Sequence, residues 1–323
     1  MSRNLDTVLL TALPASGKSE VRRWLAHQDP AVQAREYHMG ETVQLDDYPY
    51  VHMMRRISEE LARAGRDPIF FPSGMEPFKD SLDWGTLIEL INEDYEDLHA
   101  KPAIKPASAA AWLFDRMDEA RKKVGADPAL GKLPADVRKS LETTLEAEAR
   151  QLLDDKLAGI PASLEGKTII IEFARGGPDG SSMPLESPYG YQYSFSKLSD
   201  HILGRASILY IWVTPEESRR KNEERARPGR DGDASILHHG VPIKVMLGDY
   251  GTDDMAHLIE TSDKPGTVTV RTRGKSFHLP VTRFDNRNDL TTFIRDDPSK
   301  WPAAQDNAIR AEMKRALGVI APA

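Results

Sequence analysis

The feature that most constrains the fold is a run of small and apolar residues close to the start of the chain. Residues 7–11 read TVLLT and predict a short buried strand. The segment 12–19 follows with the sequence ALPASGKS. Beyond it, Val21, Trp24 and Leu25 keep the spacing of one helix face. A strand, a loop of small residues and a helix in direct succession predict an α/β unit with the loop at the end of the strand.

This loop matches the pattern GxxxxGK[ST], except that Ala12 stands at the position of the first glycine. Small residues allow backbone N–H groups to surround phosphate oxygens, and Gly17 permits a close backbone approach that a side chain would block. Lys18 supplies positive charge for the outer phosphates, and the Ser19 hydroxyl is an oxygen ligand of the kind that Mg²⁺ prefers. The alternative is a turn in which these residues only begin a helix. The predicted nucleotide-binding residues of this stretch are Leu13, Pro14, Ala15, Ser16, Gly17, Lys18, Ser19 and Glu20.

The composition narrows the classes of partner. The chain has 323 residues, 40% of them hydrophobic, which predicts one large domain or a domain with an insertion. Its formal net charge of -7 gives no strong signal for nucleic acid or an anionic membrane. Cysteine is absent, which excludes disulfides and thiolate chemistry and fits a reducing compartment. The sequence shows neither a signal peptide nor an apolar run long enough to span a membrane, so we expect a cytoplasmic protein.

Carboxylates follow two further predicted strands. Residues 42–45 predict a strand that ends in Asp46 and Asp47, and residues 167–173 predict a buried strand with Glu172 near its end. Ligands bind at the carboxyl ends of parallel strands. One aspartate is therefore expected to accept a proton from a substrate hydroxyl, while the other holds magnesium. The alternatives are a surface turn for the aspartate pair and an ion pair with Arg175 for Glu172.

A fourth strand is predicted over residues 206–213, followed by a helix that carries clustered arginines. Guanidinium groups in a lid after this strand suit the clamping of transferring phosphates. Those predicted to act in catalysis are Arg220, Arg225 and Arg227. The alternative is a solvated helix with ion pairs such as Glu216 with Arg220.

The remaining segments complete the predicted organisation. Residues 51–166 are expected to form a helical insertion that covers the substrate side. A β-hairpin is predicted over 267–279 and a last core strand over 281–285. Asn286 follows that strand and is a candidate for nucleotide contact, with a capped turn as the favoured alternative. Residues 301–323 predict a C-terminal helix.

Aromatic residues alternate in a loop-like region rich in Pro, Gly and Ser. They are Tyr189, Tyr191, Tyr193 and Phe195. Alternation of this kind suits stacking on a base or sugar, a short strand, or a packed loop. We favour packing.

In this order the pieces resemble the P-loop kinases of the nucleoside and nucleotide kinase group. The resemblance rests on residues 12–19, the Asp46–Asp47 pair, Glu172, the arginine helix 219–227 and residues 284–286. It implies a P-loop NTPase fold, a three-layer α/β/α sandwich with a five-stranded, mostly parallel sheet. The core would comprise 1–50 and 167–300, with a lid-like segment at 214–255.

The resemblance also implies a reaction, in which ATP with Mg²⁺ donates its γ-phosphoryl group to a small-molecule acceptor. On this analogy Lys18 holds phosphates and either Asp46 or Asp47 is the base. The implied transition-state residues are Arg220, Arg225 and Arg227, and the predicted magnesium ligands are Ser19, Asp46 and Glu172. Two alternatives stay open: a P-loop NTPase that acts on a protein partner, and a nucleotide-binding regulatory protein. The sequence leaves the acceptor and the oligomeric state open.

Overall fold

The computed structural model describes residues 4–226 and 240–322. Its strands are β1 Thr7–Thr11, β2 Thr42–Asp46, β3 Thr168–Phe173, β4 Ala206–Trp212, β5 Thr267–Thr272 and β6 Lys275–Asp285. Its α-helices are α1 Lys18–Ala26, α2 Pro30–Glu36, α3 Tyr48–Arg63, α4 Asp83–Ala100, α5 Ala109–Lys123, α6 Ala135–Ala158, α7 Gly190–Lys197, α8 Asp200–Leu203, α9 Pro215–Arg225, α10 Ile243–Asp249, α11 Met255–Glu260 and α12 Ala303–Val319. None of the helices in these two ranges combines the length and the apolar character that crossing a membrane requires.

The strands form one six-stranded, mostly parallel sheet in the order β2-β3-β1-β4-β6-β5. Strand β1 lies between β3 and β4 and is parallel to both, with Thr11 level with Phe173 and Tyr210. Every residue of β1 is buried. The loop that follows β1 therefore leaves the sheet at the middle of its carboxyl edge, where parallel sheets bind ligands.

The sheet differs from the prediction at its far edge, where it has six strands rather than five. The predicted hairpin strand and the predicted last core strand are one continuous strand, β6. Its first part pairs antiparallel with β5 as far as Pro280, and from Val281 onward it pairs parallel with β4. A proline has no N–H for a ladder, and Pro280 stands where the strand changes partners.

Helices pack on both faces of the sheet. One face buries Leu9, Ile171 and Ile208 against apolar side chains of α4 and α7. The other face buries Leu10 and Phe284 against α1 and α12. Both faces of the central strands are thus covered, which agrees with their continuous apolar sequences.

The predicted insertion contains α3, α4, α5 and α6, which have an apolar core of their own. A buried polar network also joins them. Arg116 donates hydrogen bonds to Asp94 at 2.8 Å and to the Tyr50 hydroxyl at 3.1 Å. Lys156 reaches the same carboxylate at 2.5 Å. The four helices are thus joined to one another, while α4 also packs on the sheet and α3 begins two residues after β2 ends.

The alternating aromatic residues belong to a helix and not to a strand. Tyr191, Tyr193 and Phe195 lie within α7, and Tyr189 is its N-cap. Tyr191 and Phe195 are one helical turn apart and both are fully buried, with ring centroids 5.4 Å apart. The packing interpretation is confirmed for these two. Aromatic residues at every second position over so short a stretch do not distinguish a strand from a short helix.

The predicted lid-like segment 214–255 contains α9 and α10. Residues 227–239, among them Arg227, lie outside the described residues.

Glu146 of α6 caps the start of α5 and gives a test of how the insertion is held together. Its carboxylate accepts hydrogen bonds from the Ser108 hydroxyl at 2.7 Å and from the N–H groups of Ala109 and Ala110 at 2.9 and 3.0 Å. We expect Glu146→Ala to lower the free energy of unfolding by about 1–2 kcal/mol at pH 7, because three donors lose their acceptor. Urea unfolding followed by circular dichroism measures the loss.

The loss of stability caused by Glu146→Ala should become smaller in acid. Burial would raise the pKa of Glu146, but the hydrogen bonds outweigh it and lower the pKa from 4.5 to about 2. A carboxyl group whose pKa is lower in the folded state than in the unfolded state stabilises the fold at pH values above the unfolded-state pKa. This stabilisation is lost as the pH falls from 4.5 towards 2. The control is Glu165→Ala, because that carboxylate is exposed. A difference from wild type that is constant between pH 7 and pH 3 would contradict the cap.

Candidate active site

The loop between β1 and α1 takes a conformation that requires glycine at position 17. Gly17 has φ +107°, in the left-handed region. A Cβ there would lie 2.6 Å from Thr291 Oγ1 and 2.7 Å from Asn286 Nδ2. A side chain at position 17 would therefore be blocked by side chains from the far end of the chain, and the close approach of a phosphate to Gly17 stays a prediction.

Side chains from three separate elements bind carbonyl oxygens of this loop. The Tyr191 hydroxyl donates to the carbonyl of Ala12 at 3.0 Å, the Ser218 hydroxyl to that of Pro14 at 2.7 Å, and the Asn286 amide to that of Ser16 at 2.7 Å. The loop is thus fixed through its acceptors, and its donors are left for another partner.

The donors at the start of α1 have no such partner. The backbone N–H groups of Gly17, Lys18 and Ser19 donate no hydrogen bond to any residue within 4–226 or 240–322. Gly17 also caps α1 without a side-chain acceptor. Free N–H groups at the positive end of a helix are suited to an anion.

Lys18 adds a buried cation at the same point. Its Nζ lies 3.5 Å from the carbonyl oxygens of Ala12 and Leu13, and the side chain is buried. Burial lowers the pKa of Lys18, and the negative charge of Glu172 partly opposes that effect. A bound phosphate would stabilise this ammonium, because it would replace weak carbonyl contacts by a full negative charge.

Two of the predicted magnesium ligands are directly opposite each other in the sheet. Asp46 of β2 is the register partner of Glu172 of β3. Arg22 donates to Asp46 at 2.9 Å and to Glu172 at 2.6 Å, while the Ser19 hydroxyl lies 3.4 Å from Glu172. Burial and the charge of Glu172 raise the pKa of Asp46 to about 7, against the opposing effect of Arg22. The structure therefore brings Ser19, Asp46 and Glu172 together around one guanidinium group.

Asp47 faces a different arginine. Arg175 donates from Nη1 to Asp47 at 2.6 Å and from Nε to the Ser194 hydroxyl at 2.9 Å. Burial raises the pKa of the Asp47 carboxyl, and Arg175 opposes that effect. The predicted alternative of an ion pair between Glu172 and Arg175 is wrong, since Glu172 is bound by Arg22.

Sequence reasoning missed Arg22, and it paired Arg175 with Glu172 instead of Asp47. Arg22 stands one helical turn after Ser19 and therefore on the same face of α1, a signal that the spacing already contained. Arg175 follows β3 by two residues. Nothing in the local sequence indicates that it turns towards Asp47.

Glu20 and Arg225 form an anchored pair. Arg225 donates to the two carboxylate oxygens of Glu20 at 2.8 and 3.1 Å, and Arg295 donates to the same group at 2.7 Å. Burial would raise the pKa of Glu20, but Arg225 and Arg295 outweigh it and the pKa is lowered. Glu20 was predicted to contact nucleotide, whereas its observed contacts hold Arg225 beside the loop.

Two further predicted residues do not reach the site. Arg220 is half exposed and pairs with Glu217 at 2.6 Å and with Glu224 at 2.5 Å. It therefore forms surface ion pairs as the alternative expects, although the partner named there, Glu216, pairs with Arg219 at 3.5 Å. Asn286 is fully buried behind the loop, where its amide donates to Ser16 and its oxygen accepts from the N–H of Leu290 at 2.7 Å. Both polar atoms of Asn286 are engaged within the protein, so its contribution is to the shape of the loop.

A cavity of about 380 Å³ opens in front of the loop. Among the predicted residues, those that line it are Pro14, Ala15, Lys18, Ser19, Asp46, Asp47, Glu172 and Arg225. Leu13 and Ser16 are buried in the loop itself. The far wall consists of four aromatic rings in contact, Phe71, Phe78, Trp84 and Tyr250. Within the described parts of the chain, no group of three or more His, Asp or Glu side chains is arranged to hold a metal ion.

No protein-family model, curated protein or solved structure matches this chain. The residues and distances above are therefore the basis for the function proposed below.

Replacement of Gly17 tests the packing behind the loop. We expect Gly17→Ala to lower the free energy of unfolding by about 2–3 kcal/mol, since it adds a clash to an unfavourable backbone angle. The matched control is Gly65→Ala, with φ +68° and no atom within 4 Å of the added Cβ. That control should lose only about 1 kcal/mol. Equal losses in urea unfolding would show that Asn286 and Thr291 do not pack against position 17.

Proposed function

We propose that this protein is a P-loop kinase that moves the γ-phosphoryl group of ATP to a hydroxyl or phosphate of a small molecule. One observation carries the proposal: the N–H groups of Gly17, Lys18 and Ser19 are unpartnered within the described chain beside a buried lysine. Each of these groups favours an anion, and a cavity with space for a second substrate lies next to them.

In this proposal the loop binds the phosphates of ATP. The backbone donors at the start of α1 hold their oxygens, and Lys18 neutralises the outermost charge. Arg225 lines the same cavity, and its pairing with Glu20 fixes its position. A preorganised guanidinium stabilises the charge that develops on the phosphoryl group in the transition state.

The three oxygen-bearing side chains next to the loop suit magnesium. Ser19, Asp46 and Glu172 offer only oxygen atoms, which are the ligands that Mg²⁺ prefers. Arg22 now occupies the space between the two carboxylates. When bound, the ion would supply positive charge to the phosphate oxygens. Asp46 and Glu172 would then exchange part of their contact with Arg22 for contact with the ion.

Asp47 is the base of the proposed reaction. Unlike Asp46, Asp47 does not share its arginine with Glu172, and it lines the cavity. The acceptor oxygen forms a bond to the γ-phosphorus while its proton passes to Asp47. The bond between that phosphorus and the bridging oxygen breaks, and ADP leaves with the electron pair. Arg175 keeps Asp47 oriented towards the acceptor.

The proposal is tested by incubating the protein with ATP and magnesium in the presence of nucleosides, nucleotides and sugars. Phosphorus NMR and mass spectrometry detect a phosphorylated acceptor. We expect Asp47→Asn to slow transfer by about 100- to 10,000-fold with ATP affinity retained, because the proton has no acceptor. The control is Asp67→Asn, which removes a carboxylate from an exposed position.

The other outcomes decide between the alternatives. If phosphate is released from ATP at a rate that none of the acceptors changes, the protein is an NTPase instead. Binding of ATP without any turnover would favour a regulatory protein. Full activity of Asp47→Asn would move the base to another residue.

A further inference from the structure

The cavity contains a buried carboxylate that the proposed reaction does not use. Asp249, at the end of α10, is buried and lines the cavity. Its Oδ2 atom has no hydrogen-bond partner among the described residues. Unpartnered buried carboxylates are costly, so their presence in a cavity points to a ligand.

The backbone N–H of Phe78 faces the Asp249 carboxyl, and Oδ2 is nevertheless without a hydrogen bond among the described residues. The indole N–H of Trp84 faces the carboxylate and is itself buried without a hydrogen bond of normal geometry among the described residues. The charged group that faces Asp249 is Arg55 of α3, whose own hydrogen bond goes to the carbonyl of Gly74 at 3.1 Å. Burial raises the pKa of Asp249 to about 7, and the charge of Arg55 only partly opposes this.

The cavity walls around this carboxylate consist of aromatic rings that contact one another. Phe71 and Phe78 stack with centroids 4.2 Å apart, and Trp84 lies edge-on to Phe78 at 4.9 Å and to Tyr250 at 5.5 Å. Such walls suit an apolar, ring-bearing ligand. One carboxylate, Asp47, lies near the phosphate loop, and Asp249 lies against the aromatic wall.

We propose that the acceptor is an amino alcohol with a ring-bearing body, whose hydroxyl contacts Asp47 and whose N–H group donates to Asp249. The inference rests on the proposed function for the role of Asp47. The amino group supplies the donor that Asp249 Oδ2 lacks, and the ring packs against the aromatic side chains that line the cavity. A ligand without an N–H at this end would leave the carboxylate unpartnered and would bind more weakly.

The experiment uses matched pairs of alcohols that differ by one amino group. The pairs are 2-(4-aminophenyl)ethanol with 2-phenylethanol, adenosine with purine riboside, and cytidine with 2-pyrimidinone riboside. Calorimetry measures their affinity for the full chain, with and without magnesium and a non-hydrolysable ATP analogue. We expect the amino member of at least one pair to bind ten-fold or more tightly than its partner. That ratio is typical of a hydrogen bond to a charged group.

Asp249→Leu should abolish this preference, because it replaces the two acceptor oxygens by methyl groups on a side chain with the same branching. The matched control is Glu76→Gln, which removes a nearby carboxylate that pairs at the surface with Lys244. The control should keep the preference. Folding is checked by urea unfolding, where Asp249→Leu should have a midpoint at or above that of wild type at pH 8, since a buried unpaired charge is lost.

The two proposals fail in different ways. If no pair shows a preference, or if no alcohol binds, the inference about the acceptor is overturned. A preference that survives in Asp249→Leu overturns it as well. None of these results depends on turnover, so phosphoryl transfer to an alcohol without an amino group would leave the proposed kinase activity intact.

Discussion

The arrangement of the site depends on how the carbonyl oxygens of one loop are held. Tyr191, Ser218 and Asn286 reach that loop from three distant parts of the chain. With its acceptors engaged, the backbone presents donors at the start of α1. The loop leaves the sheet at its centre because β1 lies between two parallel neighbours. The geometry of the proposed phosphate site therefore depends on the whole sheet and its covering helices.

Charge balance around the loop follows a consistent scheme. Four carboxylates near the loop each contact an arginine: Asp46 and Glu172 share Arg22, Asp47 has Arg175, and Glu20 has Arg225. Arg22, Arg175 and Arg225 oppose the effect of burial on the pKa of Asp46, Asp47 and Glu20. Lys18 is held more weakly, by two carbonyl oxygens at 3.5 Å. Of these cations it is the one with most to gain from an incoming phosphate.

The sequence predicted what short segments determine by themselves. The strand, loop and helix around Lys18, the buried strands and the helices of the insertion follow from local periodicity and small residues. The sequence also placed Asp46 and Glu172 at one edge, since parallel strands end together. What it did not predict depends on contacts between distant segments: the role of Asn286 behind the loop and the course of Arg175.

Two other differences have the same origin. Strand β6 continues through Pro280, and its partner changes there from β5 to β4. The sequence of a single strand does not indicate such a change of partner. Arg220 was expected to act in a lid because of its position after the fourth strand. Its neighbours Glu217 and Glu224 instead bind it at the helix surface. Local ion pairs on a helix compete with a role in the cavity, and residue type alone does not decide between them.

The most direct measurement is a calorimetric titration of the full chain with ATP and magnesium, repeated on Lys18→Ala. The account predicts saturable binding by the wild type with one site, and an affinity at least thirty-fold lower in the variant, about 2 kcal/mol. Unchanged unfolding midpoints would show that both proteins are folded. Absence of binding by the folded wild type, or equal affinity in the variant, would contradict the assignment of the loop after β1 as a phosphate site.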